Sequence, residues 1–211
     1  MRTLTELINE EESALPLVKQ WAEAGELPCE VLPPSADCDR ILVDLQVTTR
    51  SPMGAIAHGT GGVLVDGGWL RILGSGHPQL NRNIVDWNRG RSSGFLLVAD
   101  DAVGGFFAIN GGALGPDVGS MYFLAPDSLE WEALDLGYTD FLQWSFSSRL
   151  HTFYASLRWS GWEADVKALG PDRCINFYPF LWTEQGSAEG SSRKPVDIAE
   201  QYAFNMSNLN G

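Results

Sequence analysis

"LLVADDAVGGFFAINGG", Leu96 to Gly112, decides the fold of this chain. Asp100 and Asp101 stand just ahead of Gly104-Gly105, so the stretch reads either as a site or as the corner of a hairpin. Paired carboxylates can hold Mg²⁺ or work as general acid and base. Adjacent residues of a strand, however, point to opposite faces. Aspartate also favours turns, because its side chain bonds nearby backbone N–H groups, and glycine lets the chain reverse through positive φ. The hairpin reading is therefore preferred: "SGFLLVAD" and "GGFFAIN" are strands joined through Asp101–Gly104.

The pattern continues on both sides. "GSMYFLAP" reads as a third strand. Upstream, glycine-rich "GAIAHGTGGVLVDGGWLRILGSG" carries turn signals at Thr60-Gly61 and Asp66-Gly67. It predicts strands near Ala55–Ala57, Val63–Val65 and Trp69–Leu73. "CEVLPP" reads as a short edge strand stopped by prolines. Short strands joined by tight turns point to an antiparallel sheet and against a doubly wound parallel one.

Helical signals flank this sheet. Thr3 and Glu6 have capping-box spacing ahead of a helix near Leu4. Val18, Trp21 and Ala22 form a stripe that Gly25 ends, and Cys38, Ile41, Leu42 and Leu45 form another. Pro78 suits a first helical turn before Leu80, Ile84 and Trp87. Asp127 is expected to cap a helix in "SLEWEAL". Tyr138, Phe141, Leu142 and Phe146 line one helical face; Leu150, Phe153, Tyr154 and Leu157 line a second. "GWEADVKAL" is a short helix, and "CINFYPFLWTE" has strand composition with Pro179 at an edge or bulge. "QGSAEGSSRKP" reads as a polar loop. The expectation is a single domain over 1–211, with 183–211 a mobile loop and C-terminal appendage.

Composition narrows the function classes. With 211 residues, 44% hydrophobic and 19% charged, the chain can bury a sizeable core. No apolar run approaches the roughly 20 residues that span a bilayer. The acidic, amphipathic N-terminus lacks the apolar core of a signal peptide, so a cytoplasmic location without membrane contact is expected. A net charge of −13 opposes nucleic-acid binding and suits a basic partner. Cys29, Cys38 and Cys174 are scattered in sequence and His58, His77 and His151 do not cluster beside them, so no metal or cofactor is expected.

The catalytic motifs fail on context. "HGTGGVLV" opens a strand and lacks the lysine of a phosphate loop. It shares glycines with the oxyanion loops of esterases, but no Gly-x-Ser-x-Gly elbow accompanies it. "GSGHP" would set His77 at a helix mouth, where anions are favoured. Trp131, Trp144, Trp159 and Trp162 read as core aromatics. One feature stands against the acidic background: Arg71, Arg82, Arg89 and Arg91, opposed only by Asp86 between Gly67 and Ala99. With Trp69, Trp87 and His77 these arginines form the candidate binding set, since arginine beside tryptophan is common at interfaces. The competing reading pairs them with the chain's own acids.

"TTRSPMGAIAHGTGG", "GGWLRILGSG", "LLVADDAVGGFFAINGG" and "LEWEALDLGYTDFLQWSF…FYASLRW" resemble the bacterial family called domain of unknown function 2625, from about Leu4 to Tyr178. The name implies no activity and no catalytic residues. The strands, glycine corner and following helix are also similar to the second half of SUKH (Smi-Knr type) domains. That resemblance implies an α+β fold: a curved, mostly antiparallel sheet flanked by helices, a SUKH-like core with extra N- and C-terminal segments. It also implies a non-enzymatic protein-binding module of the immunity type, whose partner is a toxin; the chain's acidity suits a basic one. A homo-oligomer is the other partner expected. The alternative is a metabolic or hydrolytic enzyme with a site around His77, Arg82 and Asp100.

Overall fold

The hairpin at Leu96–Gly112 is present in the computed structural model, which describes residues 1–209. Ahead of it come α1 (Leu4–Leu7), α2 (Leu15–Ala24), β1 (Cys29–Leu32), α3 (Cys38–Leu45), α4 (Pro52–Gly59), β2 (Gly62–Val65), β3 (Leu70–Leu73) and α5 (Ile84–Asn88). The hairpin itself is β4 (Phe95–Asp101) and β5 (Phe106–Asn110). After it come β6 (Ser120–Leu124), β7 (Trp131–Gly137), α6 (Tyr138–Ser145), α7 (Arg149–Phe153), α8 (Trp162–Lys167), β8 (Arg173–Tyr178), β9 (Ser192–Asp197) and α9 (Ile198–Ser207).

Strands β1 to β7 form one antiparallel sheet in sequential order, and β8 pairs with β9 apart from it. The fold class is α+β. "FFAIN" explains why both faces of the sheet are covered. Phe106 and Phe107 point to opposite sides, yet both are fully buried. Phe107 stacks on Phe123 and meets Phe141 of α6, whereas Phe106 meets Tyr202 of α9. Trp69, fully buried, packs edge-on against Tyr154 and Trp162.

The hairpin corner is built by Asp101. Its Oδ1 accepts hydrogen bonds from the backbone N–H groups of Val103 (2.9 Å) and Gly105 (2.7 Å). Gly104 takes φ of +83°, and a Cβ on Gly105 would lie 2.2 Å from Asp101 Oδ2. Asn205 of α9 donates to the Gly104 carbonyl at 2.9 Å, so the C-terminal helix clasps the corner.

Three local expectations are corrected. Ala55–Ala57 lies in helix α4, not a strand: the Ser51 side chain caps it, Pro52 opens it, and Gly54 to Ala57 are all buried. An all-round apolar helix has no 3.6-residue stripe by which to recognise it. "SLEWEAL" does not form a helix either. Leu129 turns the chain with φ of +54°, and Trp131, Glu132 and Ala133 then pair with Leu124, Phe123 and Tyr122. The unpaired backbone of β6 outweighs the modest helix propensity of that segment. Helix α5 begins at Ile84, capped by Asn83, rather than at Pro78. Residues 77–80 make a tight turn in which His77 and Leu80 bond each other's backbones.

The segment from residue 183 onward is tied down along the described residues. Ser191 Oγ donates to the Pro179 carbonyl, Ala188 is buried, and β9 and α9 follow, with Ile198 and Tyr202 in the core. Residues 210 and 211, the end of the expected appendage, lie outside the described residues.

Candidate functional site

The two aspartates of the hairpin have different tasks. Register sets Arg71 of β3 directly opposite Asp100 of β4, so both side chains share one face. Arg71 Nε donates to Asp100 Oδ1 at 2.6 Å. Arg82, from the connection before α5, donates through Nη2 to Oδ1 at 3.1 Å and Oδ2 at 2.8 Å. Arg71 also donates to the Arg173 and Asp101 carbonyls, and Arg82 to the Pro171 carbonyl. All three side chains are buried. Burial pushes the Arg82 guanidinium below its ordinary pKa, with Asp100 opposing that shift and the charge on Arg71 adding to it. The adjacent Cys174 thiol is raised by burial and is inert as a nucleophile.

Asp101 faces the other side. Its Oδ2 accepts the Tyr154 hydroxyl at 2.8 Å. Burial raises its carboxyl to about 6, against the lowering effect of bonds from Gly105, Tyr154 and Val103.

The Arg71 side chain borders a cleft of about 850 Å³ between the β1–β2 edge of the sheet and α8. Leu64, Trp162 and Val166 supply apolar wall, and Glu30, Asp66, Glu163 and Lys167 supply charge. Asp66 sits in the turn between β2 and β3. Its Oδ2 accepts from Arg158 at 2.6 Å and lies 3.0 Å from His151 Nε2. The Arg158 guanidinium lies over the rings of Trp69 (4.7 Å) and Trp162 (4.1 Å), which fixes the tryptophan wall.

The sequence-derived binding set does not converge on one exposed surface. Trp69, Arg71, Arg82 and Trp87 are buried. Arg89 is exposed and paired with Asp44 (3.0 Å) and Asp86 (2.9 Å). Arg91 lies over Trp87 at 4.4 Å and donates to the Trp87 carbonyl. The physical reason is charge matching inside the chain: each of Arg71, Arg82 and Arg89 meets an aspartate. His77 is half-buried, with its Nδ1 accepting from the Gln79 N–H. Of the trio His77, Arg82 and Asp100, only Arg82 and Asp100 are joined; no hydrogen bond or ion pair among the described residues links His77 to either. Glu30, Asp66, Glu163 and Lys167 were not singled out from sequence. They are scattered from residue 30 to 167, and only the packing of α8 beside β1 and β2 gathers them.

The family profile described as "Protein of unknown function DUF2625" matches residues 4–201. The chain is 46% identical over 204 residues to YbfG, an uncharacterised protein of Escherichia coli (strain K12), covering 95% of this chain and 94% of that one. It is also 39% identical over 219 residues to an uncharacterised protein of Haemophilus influenzae, covering 100% and 96% of the two chains.

Proposed function

We propose, from the premise that the chain belongs to the DUF2625 family, that it is a cytoplasmic, non-enzymatic binding module whose cleft beside α8 receives a basic segment of a protein partner. One observation carries the reading: an apolar wall of Leu64, Trp162 and Val166 carries Glu30 and Glu163 against Lys167, while the two other charges at the cleft, Asp66 and Arg71, are held by Arg158 and Asp100. Apolar surface supplies affinity and the acidic rim supplies orientation and on-rate. The net charge of −13 extends the same field over the whole surface. The buried arginines and Asp100 favour binding over chemistry, because all of their polar groups but the Arg82 Nε are engaged with each other or with backbone carbonyls. The resemblance to SUKH domains supports a specific form, an immunity-type protein that covers a basic toxin. A nuclease toxin would carry such a basic face for its own substrate.

The test is a titration of the chain with a lysine-rich and a glutamate-rich peptide, followed by tryptophan fluorescence. The lysine-rich peptide is expected to bind, and Glu30→Lys with Glu163→Lys to weaken it by about tenfold, or ~1.4 kcal/mol. Equal responses to the two peptides, or no effect of charge reversal, overturn the reading.

A further inference from the structure

Away from the cleft, the packing of α3 on α4 brings together three side chains of metal-ligating type: Cys38, Asp39 and His58. Cys38 and Asp39 open α3, and His58 lies in the last turn of α4. His58 Nε2 is 2.8 Å from Asp39 Oδ1, Cys38 Sγ is 4.0 Å from the same oxygen, and the three donors all lie within 4.8 Å of one another. We propose that Cys38, Asp39 and His58 form a Zn²⁺ site with three protein ligands and a fourth position open to solvent.

Thiolate, imidazole and carboxylate together suit Zn²⁺, whereas Mg²⁺ and Ca²⁺ prefer oxygen donors. Tetrahedral zinc, with bonds of about 2.0–2.3 Å, sets its ligand atoms about 3.3–3.6 Å apart. Two of the separations, 2.8 and 4.0 Å, lie on either side of that spacing, and the third, between Cys38 and His58, is within 4.8 Å. Reaching it needs the His58–Asp39 pair to open and the Cys38–Asp39 pair to close by about half an ångström, and the Cys38–His58 pair to settle near about 3.6 Å, through side-chain rotations about Cα–Cβ and Cβ–Cγ.

The backbone that carries these donors is held firmly. Ile41, Leu42, Ala55, Ile56 and Ala57 are buried at the helix pair. Gly54 lets α4 approach so closely that a Cβ there would meet the Thr48 carbonyl. Arg40, the nearest cation in sequence, is turned towards Asp37, Asp44 and Asp86, leaving Asp39 to His58. Cys38 and His58 are half-buried and Asp39 is exposed, so an ion can enter and the fourth position faces outward.

The full chain, stripped with chelator, is titrated with Zn²⁺ against a chromophoric indicator and with Co²⁺ followed by absorption. One equivalent is expected, with a thiolate-to-cobalt charge-transfer band. Cys38→Ser is expected to abolish the band, and His58→Ala to weaken Zn²⁺ binding by at least about tenfold. Cys29→Ser is expected to change neither. Melting of the metal-free variants like the metal-free wild type ties any loss to the ligands rather than to folding. No uptake at one equivalent, or uptake of unchanged affinity in either Cys38→Ser or His58→Ala, overturns the site and leaves His58–Asp39 an ordinary hydrogen-bonded contact.

Discussion

The chain from Arg71 to Arg89 supplies arginines to two aspartate clusters, one sealed inside and one on the surface. Inside, Arg71 and Arg82 share Asp100. Outside, Arg40 and Arg89 share Asp86 and Asp44. The chemistry is the same and the energetics differ. Buried charges have lost their water, so removing one partner strands the rest in a medium that solvates them poorly. Exposed partners regain water when a pair is broken, and side-chain entropy offsets much of the attraction. Thus the number of arginine–aspartate pairs says little about stability, and their depth says much.

The acid responses of Asp101, buried on the opposite face of β4, and of surface Asp86 also have opposite sign. Burial holds the Asp101 carboxyl at about 6, above its ordinary value of 3.8. Hydrogen bonds from Arg40 and then Asn83 hold Asp86 below its ordinary value. Between about pH 4 and 6 the folded chain therefore retains a proton at Asp101 that the unfolded chain has released, and stability falls as pH rises through that window. Asp86 contributes in the other direction: its stabilisation is present above the unfolded value and is lost as pH falls through the lowered one.

The contrast can be broken most readily at its centre. Asp100→Ala is expected to cost about 3–5 kcal/mol in urea unfolding, because two buried guanidinium groups lose the carboxylate they share. A loss below ~1 kcal/mol would mean that water enters the cluster and the inside–outside distinction fails. Next in size is the Asp101 titration. Over pH 4 to 6 it should lower stability by on the order of 2–3 kcal/mol relative to Asp101→Asn, measured by urea unfolding across that range. Parallel profiles for the two proteins would count against a raised carboxyl. Arg82→Gln comes third, at about 2 kcal/mol, since Arg71 still neutralises Asp100 while the Pro171 carbonyl loses its donor. Arg89→Gln is the smallest, within about 0.5 kcal/mol. A drop in thermal midpoint as large as that of Arg82→Gln would show that the surface cluster supports the fold as well.

Much of the fold is legible wherever a local rule and the tertiary context agree. The capping box of α1, the stripe of α3 and the aspartate–glycine corner of the hairpin need only their own neighbours. The reading of Asp100 and Asp101 as residues of opposite faces also follows from strand geometry, and it holds. Strand geometry alone does not separate their energetic weights. Both are fully buried, and their partners separate them: Asp100 meets two guanidinium groups, whereas Asp101 meets two backbone N–H groups and the Tyr154 hydroxyl.

The amino-acid sequence by itself determined the antiparallel character of the central sheet, its helical flanks and the surplus of negative charge, because periodicity, turn residues and net charge are local or additive properties. Tertiary structure alone decided that Trp131–Gly137 is a strand, because the open edge of β6 offered hydrogen bonds that a solvated helix did not need. It also decided that the basic segment turns inward. Arg71 meets Asp100 across 29 residues through strand register, and Arg82 meets it across 18 through a connection whose path no local rule sets. The cleft and the Cys38–Asp39–His58 cluster are likewise products of packing, since their side chains become neighbours only when helices and strands remote in sequence are buried against one another.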